Sequence, residues 1–384
     1  MKVLFFPSDN NKTSGAFICM VQTIKHLRET YNVECMVVLP YEGDGTKLLD
    51  DLNIPSVVIK SKHWIVPKNE KGFKKFVTDC KFSVKHVLNY IAISKAKKLI
   101  KSFKPDIVHL NTTFCYIGAE AANKCNVPVV WHLRELVEDG MGKKIWNKKY
   151  GFKLMNRSAK ILCVSGCVKE TYKDMLKKDL LEVVYDGVEV SNYPFEENKD
   201  TDFTYFLSVG ALGEHKGISA IIKACKLLKD RKTNNFKLFL VGRGPSEDMY
   251  RNLIKELGVE DVVELCGAKD NVRDFYHKAH FTIVNGYKEG FGRVTVEAML
   301  SGSYVIGCNT GGTIELTQGG RQGLVFRHND VEDLYSKMSY AIDNRETLMN
   351  RRRERRKYAE EHYSAEINAA NVYSAYERVL ASRK

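Results

Sequence analysis

Glu289-Gly290-Phe291-Gly292-Arg293-Val294-Thr295-Val296-Glu297 follows a short apolar run, Phe281 to Val284, and leads straight into a helical pattern. A strand feeding a helix through a glycine turn is the building unit of a doubly wound parallel sheet. The first amides of such a helix lack partners within it and carry the positive end of its dipole, so the turn is a seat for a phosphate. With the helix beginning near Gly292, Glu297 lies in its second turn and leans back toward the N-terminus, while Glu289 stays in the loop. The two carboxylates therefore stand apart, an arrangement suited to a ligand with an anionic centre and hydroxyl-rich ends. The plain alternative is a loop carboxylate and a helix carboxylate that share no ligand.

The same unit recurs on both sides of this stretch. Downstream, the strand Tyr304 to Gly307 precedes Asn309-Thr310-Gly311-Gly312-Thr313-Ile314-Glu315. Upstream, Phe236 to Val241 precedes Gly242-Arg243-Gly244-Pro245, and Thr204 to Gly210 precedes Ala211-Leu212-Gly213-Glu214-His215-Lys216-Gly217. That last loop is close to a Walker A loop but has His215 where a glycine is needed and Gly217 where Ser or Thr is needed. In the first half, Lys2 to Pro7 reads as a buried strand, and a polar loop from Asn10 to Gly15 leads into a helix from about Phe17 to Glu29. Further strands are expected at Val33 to Pro40, Ser56 to Ile59, Pro105 to Leu110, Val127 to Leu133, Ile161 to Ser165 and Leu181 to Tyr185. His109 and His132 fall at strand ends, where open α/β sheets bind ligands, and Arg134 and Glu135 follow at the same mouth. A lone histidine in such a place is also commonly structural.

At 384 residues the chain exceeds one ordinary core, so two domains of roughly 180 residues are expected. No run approaches the length of a membrane span, and the apolar start, MKVLFFP, is too short for a signal peptide. Ten scattered cysteines without a CxxC pair point to reduced thiols and argue against metal ligation. The net charge of +13 is concentrated: residues 60–104 hold thirteen lysines against Glu70 and Asp79. No nucleic-acid-reading motif accompanies that charge, so nucleic acid is not an expected partner. Within it, Phe73, Phe76, Val77, Cys80, Val84, Val87, Leu88, Ile91 and Ala92 recur at helical spacing. Either this helix packs its apolar side on the sheet and shows lysines to water, or it lies on an anionic bilayer at about 1 kcal/mol per positioned charge.

E-G-F-G-x-x-x-x-E-A-M-x-x-G, which runs from Glu289 through Glu297, Ala298, Met299 and Gly302, resembles the signature of the retaining family 4 glycosyltransferases, group 1 enzymes of bacterial polysaccharide type with the GT-B architecture. Gly210 to Gly217 resembles the G-R-L-x-x-x-K-G of that family, Gly311 to Glu315 its G-G-x-x-E, and Val184 to Val188 its exit from the first domain, with Asp186 in place of Asn. The resemblance implies an α/β GT-B fold of two Rossmann-like doubly wound domains facing across a cleft. It divides the chain into an acceptor-side domain (1–188), a linker (189–203), a nucleotide-sugar domain (204–362) and a terminal helix (363–384) crossing back to the first domain.

It implies that Glu289 holds hydroxyls of the donor sugar, Glu297 holds the ribose, and Lys216 and the amides after Gly292 stabilise the departing diphosphate. Gly15 approaches that diphosphate, and Gly290, Phe291, Gly292 and Arg293 complete the donor seat. His132 contacts the sugar near the reaction centre. His109, Arg134 and Glu135 are expected on the acceptor side. The family's arginine is Ala211 here, so Arg243 or Arg293 is expected to supply the missing cation. The implied reaction is transfer of a hexose or N-acetylhexosamine, from a UDP-sugar by preference, to a hydroxyl of an envelope or capsular glycan or a lipid-linked acceptor. No cofactor or metal is implied. Asp200-Thr201-Asp202 offers a DxD triplet, but in a polar connector and not at the end of a core strand, so a metal site is not expected there. The expected location is the cytoplasm, with peripheral contact at the inner face of the cell membrane through residues 60–104.

Three other readings compete. A GT-B sugar-nucleotide epimerase would consume donor without acceptor. A non-catalytic partner subunit is favoured by Ala211 and disfavoured by the presence of both glutamates. A nicotinamide oxidoreductase needs a third glycine soon after Gly244, and the next one is Gly258.

Overall fold

The structure is a computed structural model that describes residues 1–195, 201–233, 235–269 and 271–383. The chain divides into two compact units, Met1–Gly187 with Ala365–Lys384, and Val188–Ser364. Residues 189–195, expected as part of a linker, belong with the second unit, and so does Val188, expected to end the first domain; Val188 bridges to Ser364 there. Asp200 of the DxD triplet lies outside the described residues.

The first unit is built on a parallel sheet of β1 (Lys2–Phe6), β2 (Glu34–Leu39), β3 (Ser56–Val58), β5 (Ile107–Leu110), β6 (Val129–Leu133), β8 (Lys160–Cys163) and β9 (Leu181–Val183); β4 (Ile65–Pro67) and β7 (Lys143–Ile145) form a separate antiparallel pair. The sheet order is β3-β2-β1-β5-β6-β8-β9. Its central strands are near-continuous apolar runs because helices cover both faces; β5 and β6 are buried at every residue. The order reverses between β1 and β5, which fixes the crevice where a ligand of such a sheet binds. The terminal helix Ala365–Ala381 contributes Val372, Tyr376 and Val379 to the same core as Phe5, Phe17, Ile24, Ile107 and Val130.

For one long helix, Gly72–Phe103, the structure decides between the two orientations its sequence leaves open. It buries Phe82, Asn89, Ala92, Ile93, Ala96 and Ile100 and packs against the helix Ile117–Asn123. Phe73, Phe76, Val77, Val84, Val87, Leu88 and Ile91 face outward, Phe73 with 78% of its surface exposed and Val87 with 62%. The apolar stripe legible in the sequence is thus the outer face, and packing of that stripe on the sheet is not what this unit does. Small Ala92 and Ala96 permit close approach of the neighbouring helix on the other side, and Asn89 adds hydrogen bonds that bulkier apolar residues cannot make. Among the described residues no helix is long and apolar enough to cross a membrane.

The second unit carries β10 (Thr204–Val209), β11 (Phe236–Val241), β12 (Val263–Gly267), β13 (Phe281–Val284), β14 (Tyr304–Cys308) and β15 (Gly323–Phe326), all parallel in the order β12-β11-β10-β13-β14-β15. Phe206, Leu238, Leu240, Phe281, Ile283 and Ile306 form its core with Ile221 and Leu228 of the helix Ile218–Asp230. The order reverses between β10 and β13, so the loops leaving those two strands, residues 210–217 and 285–292, flank the ligand crevice of this unit.

Candidate functional site

The crevice in the second unit is a pocket lined by Gly210, Ala211 and Lys216 from one loop, by Asn285, Gly286 and Glu289 from the other, and by Val294 of the helix that follows it. Backbone shape makes it. Gly210 has φ 141° and Gly242 φ 150°, and a Cβ on Gly242 would lie 1.8 Å from the Gly210 carbonyl oxygen, so two strand exits touch backbone to backbone. The Leu212 amide donates to the Arg243 carbonyl at 3.0 Å, which fixes Arg243 beside the Ala211 loop. Gly312 donates its amide to the Glu289 carbonyl at 2.8 Å, and a Cβ on Gly311 would meet Glu289 backbone at 2.4 Å. The Gly311-Gly312 turn therefore clamps the loop that carries Glu289. Gly292, at φ 93°, starts the helix Arg293–Leu300, which has no side-chain cap hydrogen bond; the positive end of the helix dipole at such an N-terminus favours an anion.

Two acidic side chains anchor the electrostatics. Glu289 Oε1 accepts from Lys216 Nζ at 2.6 Å, with both side chains about one-fifth to one-quarter exposed. Glu297 is more enclosed: Oε2 accepts from the Tyr276 hydroxyl at 3.0 Å and Oε1 lies 3.3 Å from Arg293. Burial, and then the Glu297 charge, hold the phenols of Tyr193 and Tyr276 well above their ordinary pKa, so both stay protonated donors. Arg293 is thereby committed to Glu297. Arg243 is exposed and makes no ion pair among the described residues.

In the first unit His132 is fully buried on β6. Its Nδ1 lies 3.3 Å from the Arg134 guanidinium and so acts as acceptor, which puts the proton on Nε2; Nε2 has no partner among the described residues. Burial, with Arg134 second, holds the imidazole well below its ordinary pKa, so it is a neutral Nε2–H donor. Arg134 is turned inward: its Nε donates to the Asn111 carbonyl and side-chain oxygens at 3.1 and 3.0 Å, and NH1 pairs with buried Asp186. It positions His132 and has no fork left to reach an acceptor. His109 likewise does not present itself at the strand mouth. It packs against Phe5 and His132, takes a 2.7 Å hydrogen bond with Tyr376 of the terminal helix, and is pushed down to about 3 by burial. Glu135 Oε2 accepts from the Thr113 amide at 3.1 Å, and burial lifts its carboxyl to about 7. Gly15 opens the helix Gly15–Tyr31 directly after the Ser14 cap.

Against known families, the profile of glycosyl transferases group 1 matches residues 189–362, and that of glycosyltransferase family 4 matches residues 62–192. An uncharacterized glycosyltransferase of Methanocaldococcus jannaschii is 31% identical over 270 residues, which cover 68% of this chain and 72% of that protein. The chain is a family 4 glycosyltransferase. A Salmonella typhimurium glycosyltransferase whose name places it in colanic acid biosynthesis is 30% identical over 161 residues, 39% of each chain. Among solved structures, Anabaena HepE in complex with UDP superposes with a TM-score of 0.81 at 19% identity, covering 98% of this chain and 100% of that one; this likeness is one of fold, the GT-B fold of two Rossmann-like domains.

Several residues that shape this glycosyltransferase were not singled out in its sequence. Buried Asn285 donates to the Gly217 carbonyl at 2.9 Å and accepts from His328 Nδ1 at 3.1 Å, so it ties the Lys216 loop to the loop leaving β13. A Cβ on Gly217, at φ 62°, would lie 2.2 Å from that amide, which is why glycine must follow Lys216. The only signal for Asn285 is a polar residue directly after an apolar strand. Tyr193 and Tyr276 gave no local signal at all. Asp186, noted as a departure from the family's asparagine, is explained by Arg134, whose charge it balances.

Proposed function

We propose that this glycosyltransferase moves a hexose or N-acetylhexosamine, with retention of configuration and without a metal, from a UDP-sugar to a hydroxyl of an envelope or capsular glycan or a lipid-linked acceptor. The observation that carries the reading is the Lys216–Glu289 pair seated between the exits of β10 and β13. A diphosphate entering the crevice competes for Lys216 and meets the positive N-terminal end of the helix Arg293–Leu300. Glu289, released from its cation, turns its carboxylate to the sugar hydroxyls. Lys216 and the helix N-terminus then stabilise the charge that develops on the leaving diphosphate, the kind of preorganised electrostatic term that dominates many enzymes. Arg243 supplies the second cation in place of Ala211. A ribose at Glu297 takes over the place of Arg293, while Tyr276 keeps the carboxylate in position. His132 offers its Nε2–H to the sugar. The UDP and UDP-glucose complexes of HepE and the colanic acid assignment of the Salmonella relative support the donor and the acceptor class.

The test incubates UDP-, GDP- and ADP-sugars with candidate glycan acceptors in the presence and absence of EDTA. The expected result is consumption of a UDP-sugar only when acceptor is present, at a rate EDTA leaves unchanged, with a product whose anomeric coupling matches that of the donor. An inverted product, or a rate abolished by EDTA and restored by a divalent cation, overturns the mechanism. Consumption without acceptor would favour the epimerase reading.

The same proposal places the protein in the cytoplasm, at the inner face of the cell membrane. Its support is the outward stripe of Phe73, Phe76, Val84, Val87 and Ile91, flanked by Lys74, Lys81 and Lys85 on the same helix: apolar side chains for the acyl boundary and cations for anionic headgroups. Vesicles rich in phosphatidylglycerol should sediment the protein at low salt, with binding weakening as salt rises. Val87→Asp should reduce that binding at least fivefold; equal sedimentation of the variant, or none by the wild type, removes the membrane assignment.

A further inference from the structure

A second pocket lies within the first unit, at the carboxyl ends of its strands. Ser8 follows β1, Tyr41 follows β2, Lys62 and His63 follow β3, Phe114 follows β5, and Lys85 reaches in from the helix Gly72–Phe103. It lies at the crevice end of this sheet, beside the reversal between β1 and β5. Its volume of about 300 Å³ admits one small polar group with part of what it is attached to.

The lining is cationic and contains no carboxylate. Lys85 Nζ rests 4.1 Å over the Phe82 ring. Burial, then the like charges of Lys81 and Lys62, lower the pKa of Lys85. Burial and then Lys85 do the same to His63. An anion in the pocket relieves both. The donors are held in advance of any ligand. Asn89, buried, accepts from the Lys62 amide at 2.9 Å and donates to the Lys62 carbonyl at 2.8 Å and to the Tyr116 hydroxyl at 3.0 Å, so the loop is pinned to the helix at the residue that carries the charge. His63 Nδ1 accepts from the Ile65 amide at 3.3 Å, which leaves the Nε2–H of the neutral ring as a donor.

These donors match phosphate better than carboxylate. Carboxylate recognition favours the planar arginine fork, and no arginine lines this pocket; two lysine point charges with an imidazole N–H suit a tetrahedral anion. Tyr41 and Phe114 give the attached group an aromatic wall. Lys85 is also one residue from Val84 and two from Val87 on the exposed stripe, so a phosphate held here can continue into an apolar chain lying along that helix.

We propose that this pocket binds a phosphate group carried by the acceptor. The inference rests on the acceptor half of the proposed function and gives it a chemical class, a phosphorylated acceptor. The test is calorimetric titration of the full chain with three probes: dioctanoyl phosphatidic acid below its micelle concentration, glucose 6-phosphate, and dioctanoylglycerol as the phosphate-free control. The expected result is that a phosphate-bearing probe binds, that dioctanoylglycerol does not, and that the double variant Lys62→Ala, Lys85→Ala weakens binding at least tenfold. Tighter binding of the lipid, reduced further by Val87→Asp, identifies a lipid-linked phosphate; equal or tighter binding of glucose 6-phosphate identifies a soluble phosphosugar. Absence of binding by both phosphate probes, or equal affinity of the double variant, overturns the inference. UDP titrated in parallel separates the two readings, because loss of the phosphate site leaves UDP affinity as it is in the wild type, whereas a wild type that binds no UDP removes the donor assignment instead.

Discussion

Glu289→Ala is expected to lower turnover at least tenfold with the fold intact and with UDP bound as tightly as before or more tightly. A hydrogen bond to a charged group is worth about 1.5–3 kcal/mol, and about 1.4 kcal/mol of lost transition-state stabilisation is a factor of ten in rate. Stability should change little, because the Lys216–Glu289 pair is partly exposed and water solvates the ammonium left behind. The direction of the UDP effect is the sharper check. In the free protein Glu289 occupies Lys216, so its removal frees the cation for the diphosphate while taking away the group that holds the sugar. Steady-state kinetics and UDP titration should therefore split: turnover falls, and the dissociation constant for UDP stays or drops. Lys216→Ala should do the reverse to UDP and weaken it. A Glu289→Ala enzyme with wild-type turnover shows that the sugar is held elsewhere.

Asp186→Ala is expected to destabilise the first unit by about 3–5 kcal/mol, the cost of leaving a buried charge without its partner. Arg134 keeps only Asn111 and His132 in that variant, and its NH1 is left facing an emptied site from which water is excluded. For a unit of this size each kcal/mol moves the midpoint by roughly 2–4 °C, so a melting experiment should show the first unit's transition about 6–20 °C lower. Asp186→Asn, which restores the residue usual in the family, keeps an acceptor for Arg134 and should cost less than the alanine. UDP affinity at low temperature should change little with either substitution, since Lys216, Arg243, Glu289 and Glu297 all belong to the second unit. A transition that does not move would mean the Arg134–Asp186 pair contributes nothing to the unit's stability.

The two perturbations probe different kinds of residue. Glu289 announces itself locally, through a glycine turn between an apolar strand and a helix. Arg134 directly follows the strand Val129–Leu133, and nothing nearby says whether its fork faces a ligand or a carboxylate. Read as a strand-mouth residue it was expected near the acceptor; the buried carboxylate that claims it is 52 positions away. His109 illustrates the same limit, since its partner Tyr376 comes from a helix at the far end of the chain.

The sequence alone determined the parallel strands, the glycine turns that join them to helices, and the doubly wound pattern in each half, because each of these follows from apolar runs and backbone freedom within a few residues. It also singled out Lys216 and Glu289, through motifs that are contiguous in the chain, and the structure pairs those two side chains. Only the tertiary structure decided what those side chains meet. Lys216 and Glu289 are 73 positions apart and touch because β10 and β13 are neighbours at the reversal of the sheet. Likewise the period of the helix Gly72–Phe103 tells which residues share a face, but which face turns inward depends on what the neighbouring elements can receive. Here they accept Asn89, Ala92 and Ala96, and the apolar stripe is left outside.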